Sequence, residues 1–353
     1  MSICNLIKNF LPNDDILSVK KIETGNINET YLVTLLESHD KFILQKINKN
    51  VFSEPHKVMS NITKVTNHLK EKQKNVLKVI ETSDGHSYFL DKNLEYWRCY
   101  KYIENTSSVS RTDDLETIFY TGKAFGEFHR LMLDFDATKL HVIIDDFHNT
   151  KKRYNDFEKA ISDDLVDRVK LAGNEIEYLL YNKKRAMILC DLREHNILPL
   201  RVTHNDTKCS NVLFDKSSKT SIAVIDLDTV MPGLLADDFG DGARSICSST
   251  CEDDTDYENV KFCIDKFNYY CRGYFSETDK IMTAGERQTI HYGIYTITAE
   301  LATRFLADYL NGDKYFKTTI KDHNLIRARN QISLLKSIEN NFDKIQSIVY
   351  NFN

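Results

Sequence analysis

An α+β fold of two lobes is what this sequence predicts, on three observations. Residues 16 to 103 hold short alternating apolar runs. Residues 104 to 114, "ENTSSVSRTDD", form a polar connection with no hydrophobic period. Nearly everything after them repeats apolar residues at three- and four-residue steps. The expected arrangement is a small antiparallel-sheet N-terminal lobe over residues 1–105 and a larger, mostly helical C-terminal lobe over residues 106–353. A chain of 353 residues suits about two such units.

Taken in order, "ILSVKKI" (16–22) and "TYLVTLL" (30–36) read as strands flanking "ETGNINE", and "KFILQKI" (41–47) follows the hairpin signal "ESHD". In "SEPHKVMSNITKVTNHLKEK", Val58, Ile62, Val65 and Leu69 recur at helical spacing behind Pro55, which suits a first turn. "VLKVIET" and "HSYFLD" enclose the turn "SDG", and "LEYWRCYKYIE" supplies a last strand, with Trp97 and Arg98 read as packing and surface residues. Beyond the connection, Thr112 is the expected cap of a helix over 113–133, and further helices are expected over 150–170, 172–195, 256–276, 283–311 and 323–347. Only residues 201–228 revert to strand-like runs.

A net charge of -5 argues against a nucleic-acid surface, and no apolar run approaches the ~18 residues of a membrane span. The opening "MSICNLIKNFLP" lacks the pattern of a signal peptide. Its eight cysteines, with no C-x-x-C pair, are expected to be free, buried thiols rather than disulfides or a zinc site, which fits a cytoplasmic protein.

The chemistry concentrates in "RVTHNDTKCSNVLFD" (201–215), where His204, Asp206, Lys208 and Asn211 stand between two apolar runs read as buried strands. Asp226 follows in "AVIDLD", at the end of another short strand. Two carboxylates and an amide oxygen are hard ligands suited to Mg2+ bound to phosphate, and one carboxylate can stay free of metal to accept a proton. Phosphoryl transfer needs that division of labour.

"HNDTKCSN", as H-x-D-x-K-x-x-N, resembles the protein-kinase catalytic loop, with Asp226 where the kinase metal aspartate stands. Asn205 replaces the usual arginine and "IDLD" replaces D-F-G, departures that point to the aminoglycoside phosphotransferase and choline kinase group. Within it, "VTHNDTK..NVLFD", "AVIDLDTVMPGL..DDFGD..R", "FILQKIN.NVF" and "ELATRFLADYLNGDKYFK" resemble the N-acetylhexosamine 1-kinases. The resemblance implies a protein-kinase-like fold, with ATP and Mg2+ as cofactors. It implies Asp206 as general base, Lys208 offsetting charge on the transferring group, and Asn211 and Asp226 as Mg2+ ligands. Asp228, two residues further along a continuing strand, is expected to reach the ion or the sugar, and His204 to be a buried structural residue.

On the nucleotide side, Gly25, Asn26 and Asn28 of "TGNIN" are the expected phosphate lid, and Tyr102, Ile103 and Glu104 the adenine hinge. The position matching the kinase strand lysine falls on Gln45, so Lys46 is the expected cation, brought round by a local bulge. For the acceptor, Asp237, Asp238, Asp241 and Arg244 of "DDFGDGARS" are candidates for holding sugar hydroxyls, with Asp241 and Arg244 equally readable as an intrahelical pair. Arg304 either neutralises a buried acid or reaches substrate.

The activity implied is ATP-dependent phosphorylation of the anomeric hydroxyl of N-acetylglucosamine or N-acetylgalactosamine by a monomer, or at most a homodimer. Its partners are a small sugar and ATP, with no nucleic acid or membrane. Two alternatives stand beside it. The acidic "CEDDTDYE" (251–258) suits a cationic acceptor, as in an aminoglycoside or choline-type kinase, and Gln45 permits a nucleotide-binding module without turnover.

Overall fold

The computed structural model describes residues 2–23, 27–72 and 76–352. The short helix α1 (Ile3–Ile7) precedes strands β1 (Ile16–Ile22), β2 (Glu29–Leu35) and β3 (Lys41–Lys46). Helix α2 (Pro55–Lys72) leads to β4 (Val79–Ile80), β5 (Phe89–Leu90) and β6 (Tyr96–Lys101). The sheet is antiparallel in the order β1-β2-β3-β6-β4, with β5 also on β6.

Strand alternation gives this sheet two distinct faces. Phe42 and Leu44 of β3 and Trp97 and Cys99 of β6 pack with Leu6, Ile7 and Phe10. Ile43, Tyr96 and Tyr100 turn to the opposite face, against Val58, Met59, Ile62 and Val65 of α2. That second core continues into the helical region through Phe128, Leu131, Val202, Leu227 and Val230, so α2 is wedged between the two parts of the chain. Buried Asn61 fastens it there, donating to the carbonyls of His141 (2.8 Å) and Val230 (2.9 Å) and accepting from the His141 amide (2.8 Å).

The polar connection contains a strand that composition did not announce, β7 (Thr106–Ser107), paired with residues 214 and 215. Helices α3 (Leu115–Leu131) and α4 (Thr150–Asp163) follow, then three short helices, α5 (Gly173–Tyr181), α6 (Lys183–Ala186) and α7 (Ile188–Glu194), where one long helix was expected. Likewise 283–311 divides into α10 (Ala284–Thr289) and α11 (Tyr292–Leu310), and 323–347 into α12 (His323–Asn340) and α13 (Phe342–Tyr350). Apolar period reports which face is buried; it does not report a break in the hydrogen-bond ladder when both pieces bury the same side. Asp114, rather than Thr112, caps α3, accepting from the Glu116 amide.

Helices α8 (Leu235–Cys247) and α9 (Ile264–Thr278) complete the bundle. Gly240 of α8 lies backbone to backbone against Gly293 of α11, and Gly293 against the Ala236 carbonyl, leaving no room for a Cβ at either crossing point. All eight cysteines are free thiols; Cys99, Cys209, Cys247 and Cys271 are buried, whereas Cys4 and Cys251 are exposed. Among the described residues no helix is long and apolar enough to cross a membrane.

Candidate active site

The strands flanking the polar loop are β8 (Arg201–Thr203) and β9 (Val212–Asp215), and they belong to different sheets. β8 pairs with β11 (Met231–Gly233), while β9 pairs with β10 (Ser221–Val224) and β7. The chain turns sharply out of β8 at Asn205, whose φ of 63° is a left-handed conformation that asparagine tolerates better than most residues.

One buried carboxylate fixes that turn. Asp238 accepts the backbone N–H groups of His204 (2.6 Å) and Asn205 (2.7 Å) and lies 2.8 Å from His129 Nε2. Burial alone would raise its pKa, but the bond and charge of His129 and the loop amide hold it below the ordinary value. One turn further along α8, Asp241 accepts the Thr207 amide (3.0 Å), and Thr207 Oγ1 donates to the Asp238 carbonyl (2.6 Å). The loop backbone is thereby hung on one face of α8.

Its side chains then fall into place. His204 is fully buried against Phe125 and Phe128, and its Nε2 donates to the Ile225 carbonyl (2.9 Å), leaving Nδ1 to accept the Asp206 amide (3.3 Å). It is a structural residue, as expected. Asp206 Oδ2 accepts from Lys208 Nζ (2.6 Å) and Asn211 Nδ2 (2.9 Å), with side-chain exposures of 32% for Asp206 and 42% for Lys208. The Ile225 amide donates to the Asn211 carbonyl (2.9 Å), which brings the end of β10 alongside, and with it Asp226.

Asp226 adopts φ 62°, and its side chain stays open at the surface even though protein closes around it. That enclosure, followed by the carboxylates of Asp228 and Asp206, pushes its pKa up to about 6, against the opposing pull of Lys208 and Arg98. Burial works against the charge of Lys208, yet Asp206, with Asp226 and Asp241 beyond it, raises its pKa. Crowded carboxylates of this kind favour a cation. Asn211 spends its Nδ2 on Asp206, and its Oδ1 accepts no hydrogen bond from the described residues. Asp226 and Asn211 therefore fit Mg2+ as it is bound in phosphate sites, by one or two protein oxygens with phosphates supplying the rest. No group of three His, Cys, Asp or Glu suited to a metal occurs among the described residues.

Where the two lobes meet, three positions depart from expectation. Asp228 is not on a continuing strand but in a 3-10 turn at Leu227–Thr229, and it does not open toward an ion or a sugar. Its oxygens are taken by Arg98 (2.5 and 3.0 Å) and by Asn28 Nδ2 (2.6 Å). Arg98 is accordingly not a surface residue: it is 1% exposed. Lys46 pairs with Glu29, its cross-strand neighbour, on the face of β3 away from α2, and no bulge brings it round. Gln45 occupies the inward face, donating to Thr30 Oγ1 (3.0 Å) and accepting from Arg98 Nε (3.0 Å). Asn28 also accepts the Asn48 amide (3.0 Å); Gly25 and Asn26 lie outside the described residues. At the hinge, the Tyr102 amide is bonded to the Lys41 carbonyl and the Ile103 carbonyl accepts from Thr106 Oγ1. The N–H groups of Ile103 and Glu104 have no backbone partner among the described residues.

The acceptor candidates separate into two groups. Asp238 is a brace for the loop, not a ligand for sugar hydroxyls, and Asp241 shares that task while pairing with Arg244 (2.9 Å). Arg244 also meets Glu252 (2.5 Å), so of the two readings of Asp241 and Arg244 the intrahelical pair is the one present, extended to Glu252. The carboxylate of Asp237, a residue 3% exposed, makes no hydrogen bond or ion pair among the described residues. Burial, with Glu300 and Asp238 adding, pushes its pKa up to about 7 despite His148. His148 itself pairs with Glu300 (3.3 Å). Arg304 sits one turn beyond Glu300 on α11, its guanidinium 5.7 Å from the Tyr315 ring centroid and 5.3 Å from that of Phe316, and no carboxylate lies within ion-pair distance among the described residues.

The arrangement brings a partly exposed carboxylate, Asp206, together with Asn211 and Asp226 on one hydrogen-bonded loop system, next to the inner sheet face that carries Arg98. Solved structures share the fold. A microcompartment-associated aminopropanol kinase matches with a TM-score of 0.66 at 14% identity, covering 97% of this chain and 98% of that one. An aminoglycoside phosphotransferase from Alicyclobacillus acidocaldarius matches at 0.60 and 13%, covering 97% and 93%, and an ethanolamine kinase from Plasmodium vivax at 0.58 and 14%, covering 90% and 82%. The two-lobed, protein-kinase-like fold expected from the loop is the one these neighbours have. The model of the phosphotransferase enzyme family matches residues 18–262, well over half of the sequence and all of the loop system just described, so the chain belongs to that family.

Proposed function

We propose that this phosphotransferase moves the terminal phosphoryl group of ATP to the anomeric hydroxyl of an N-acetylhexosamine, N-acetylglucosamine or N-acetylgalactosamine. The observation that carries it is the pairing of a locked, partly exposed Asp206 with Asn211 and Asp226 across one loop system. Asp206 takes the proton of the sugar hydroxyl as its oxygen bonds to the γ-phosphorus, and the bond to the β,γ-bridging oxygen breaks to release ADP. Asn211 and Asp226 would hold Mg2+, which would supply the positive charge that offsets the phosphates. Lys208, bonded to Asp206, offsets charge on the transferring group, and the free N–H groups of Ile103 and Glu104 are suited to adenine.

The sugar rests on the resemblance of four segments, and the acidic stretch that would favour an amine is partly occupied. Glu252 is neutralised by Arg244, and Asp253 by Arg327 (2.5 Å) and His323 (3.1 Å). Asp254 and Asp256 close local turns. Two of the segment's five acids are thus spent within the chain, while Asp254, Asp256 and Glu258 have no cationic partner among the described residues, so an amine acceptor keeps a place in the test below. Arg304 over its aromatic shelf is the proposed sugar contact. We further propose a monomer working in the cytoplasm.

A panel of N-acetylglucosamine, N-acetylgalactosamine, glucose, choline, ethanolamine and kanamycin, incubated with ATP and Mg2+ and read by phosphorus and proton NMR, tests the proposal. Phosphate on carbon 1 of the N-acetylated sugars is expected. Turnover confined to the amines, or phosphate on another carbon, sinks the sugar assignment.

A further inference from the structure

Resting on the ATP reading above, we propose that Arg98, on β6, replaces the phosphate-serving lysine that β3 lacks. Four observations converge on it. Gln45 stands at the lysine position and is the cross-strand partner of Arg98, so both project from the same sheet face toward α2 and the loop system. The amide of Gln45 is oriented by its bond to Thr30 Oγ1, which leaves its oxygen to hold Arg98 Nε. In α2 the residue beside the guanidinium is Met59, its sulfur 4.0 Å from Nη1, and the helix carries no acid before Glu71, so no carboxylate of α2 competes for a cation here. Finally, the guanidinium reaches the junction of two proposed nucleotide-site elements: it grips Asp228, two residues beyond Asp226, and Asp228 in turn holds Asn28 of the β1 to β2 connection.

Arg98 is thus a positioning residue with a permanent charge. A guanidinium stays protonated at any physiological pH, and its fork holds a carboxylate in two places where an ammonium holds one. Through Asp228 it fixes the turn bearing Asp226 and the phosphate-side Asn28. Its charge stands at the face of the sheet where nucleotide phosphates bring theirs. The second hydrogen of Nη2 has no acceptor among the described residues.

Binding of adenosine, AMP, ADP and ATP with Mg2+ to wild type, Arg98→Met, Arg98→Lys, and the double variant Gln45→Lys/Arg98→Met separates this role from a merely structural one. In Arg98→Met, affinity for ADP and ATP is expected to fall about ten-fold or more while adenosine stays within about two-fold. Lysine restored at 45 in the double variant should recover the ratio of ADP to adenosine affinity. Equal losses for all four ligands, or no loss at all, overturns the proposal, as does a folded double variant that stays as poor as Arg98→Met. If Arg98→Met does not fold, the same ratio read in Arg98→Lys and the double variant decides: retained supports, collapsed refutes. A wild type that binds ADP no better than adenosine sinks the ATP reading instead, whatever Arg98 does.

Discussion

Replacing Asp206 with asparagine tests the base assignment with little disturbance to anything else. The carboxylate has two partners, Lys208 and Asn211, and its ion pair with Lys208 joins side chains 32% and 42% exposed. Pairs that open to water are worth at most about 1 kcal/mol. An asparagine oxygen can still accept from Asn211 or Lys208, and the loop backbone is held by Asp238 and Asp241, which the substitution does not touch. For a chain of this size the melting temperature should move by no more than about 3 °C. Turnover is another matter: an amide cannot take the proton, and a positioned general base contributes about 10²- to 10⁴-fold. Coupled measurement of ADP release against sugar concentration should show kcat falling in that range, with ATP affinity unchanged within about three-fold. Asp226→Ala should show the converse, with Mg2+-nucleotide binding itself weakened. A kcat in Asp206→Asn within about ten-fold of wild type, with the protein folded, refutes the role given to Asp206.

Asp238→Asn leaves an NH2 group facing buried donors and breaks two charge-assisted bonds, so it should cost about 3 to 5 kcal/mol by chemical denaturation and lower turnover in whatever folded fraction remains. Gly293→Ala forces a methyl into the Ala236 carbonyl and should destabilise by about 1 to 3 kcal/mol or more, read the same way. His148 predicts a pH dependence. Burial opposes its charge, but Glu300, with Asp237 and Asp241, raises its pKa from 6.5 to about 9. The stabilisation is complete below pH 6.5 and is lost as pH rises through 9, amounting to at most about 3 kcal/mol. Melting temperatures between pH 6 and 10 should show a decline in wild type that His148→Gln lacks; parallel curves would remove the His148 and Glu300 pair as its source.

Much of this was legible because the chemistry is local. His204, Asp206, Lys208 and Asn211 fall within eight positions, and short apolar runs on both sides mark them as loop residues on buried strands. The antiparallel order of β1, β2 and β3 followed from their turns. What could not be read was partnership across distance. The brace between Asp238 and the amides of His204 and Asn205 spans 34 and 33 residues, so "DDFGD" looked like a set of acids offered to a ligand. Arg98 next to Trp97 showed alternation but not which side faced the other lobe, since that depends on the position of β6 between β3 and β4. Asp228 was misplaced because "IDLD" was read as continuing strand, whereas the left-handed backbone of Asp226 redirects everything after it. The pairing of Glu252 and Asp253 in the acidic run at 251–258 was hidden because Arg244, Arg327 and His323 are remote in sequence.

The single carboxylate of Asp238 has a kinetic consequence. With two successive loop amides and a histidine ring converging on it inside the bundle, the reacting end of the molecule cannot fray while its scaffold stays whole. Deuterium should enter the His204 and Asn205 amides only as fast as it enters the middle of Leu235–Cys247. If acceptors of different shape are admitted, the adjustment then falls to the residues around the loop, because the loop backbone itself is tied into the core that carries it.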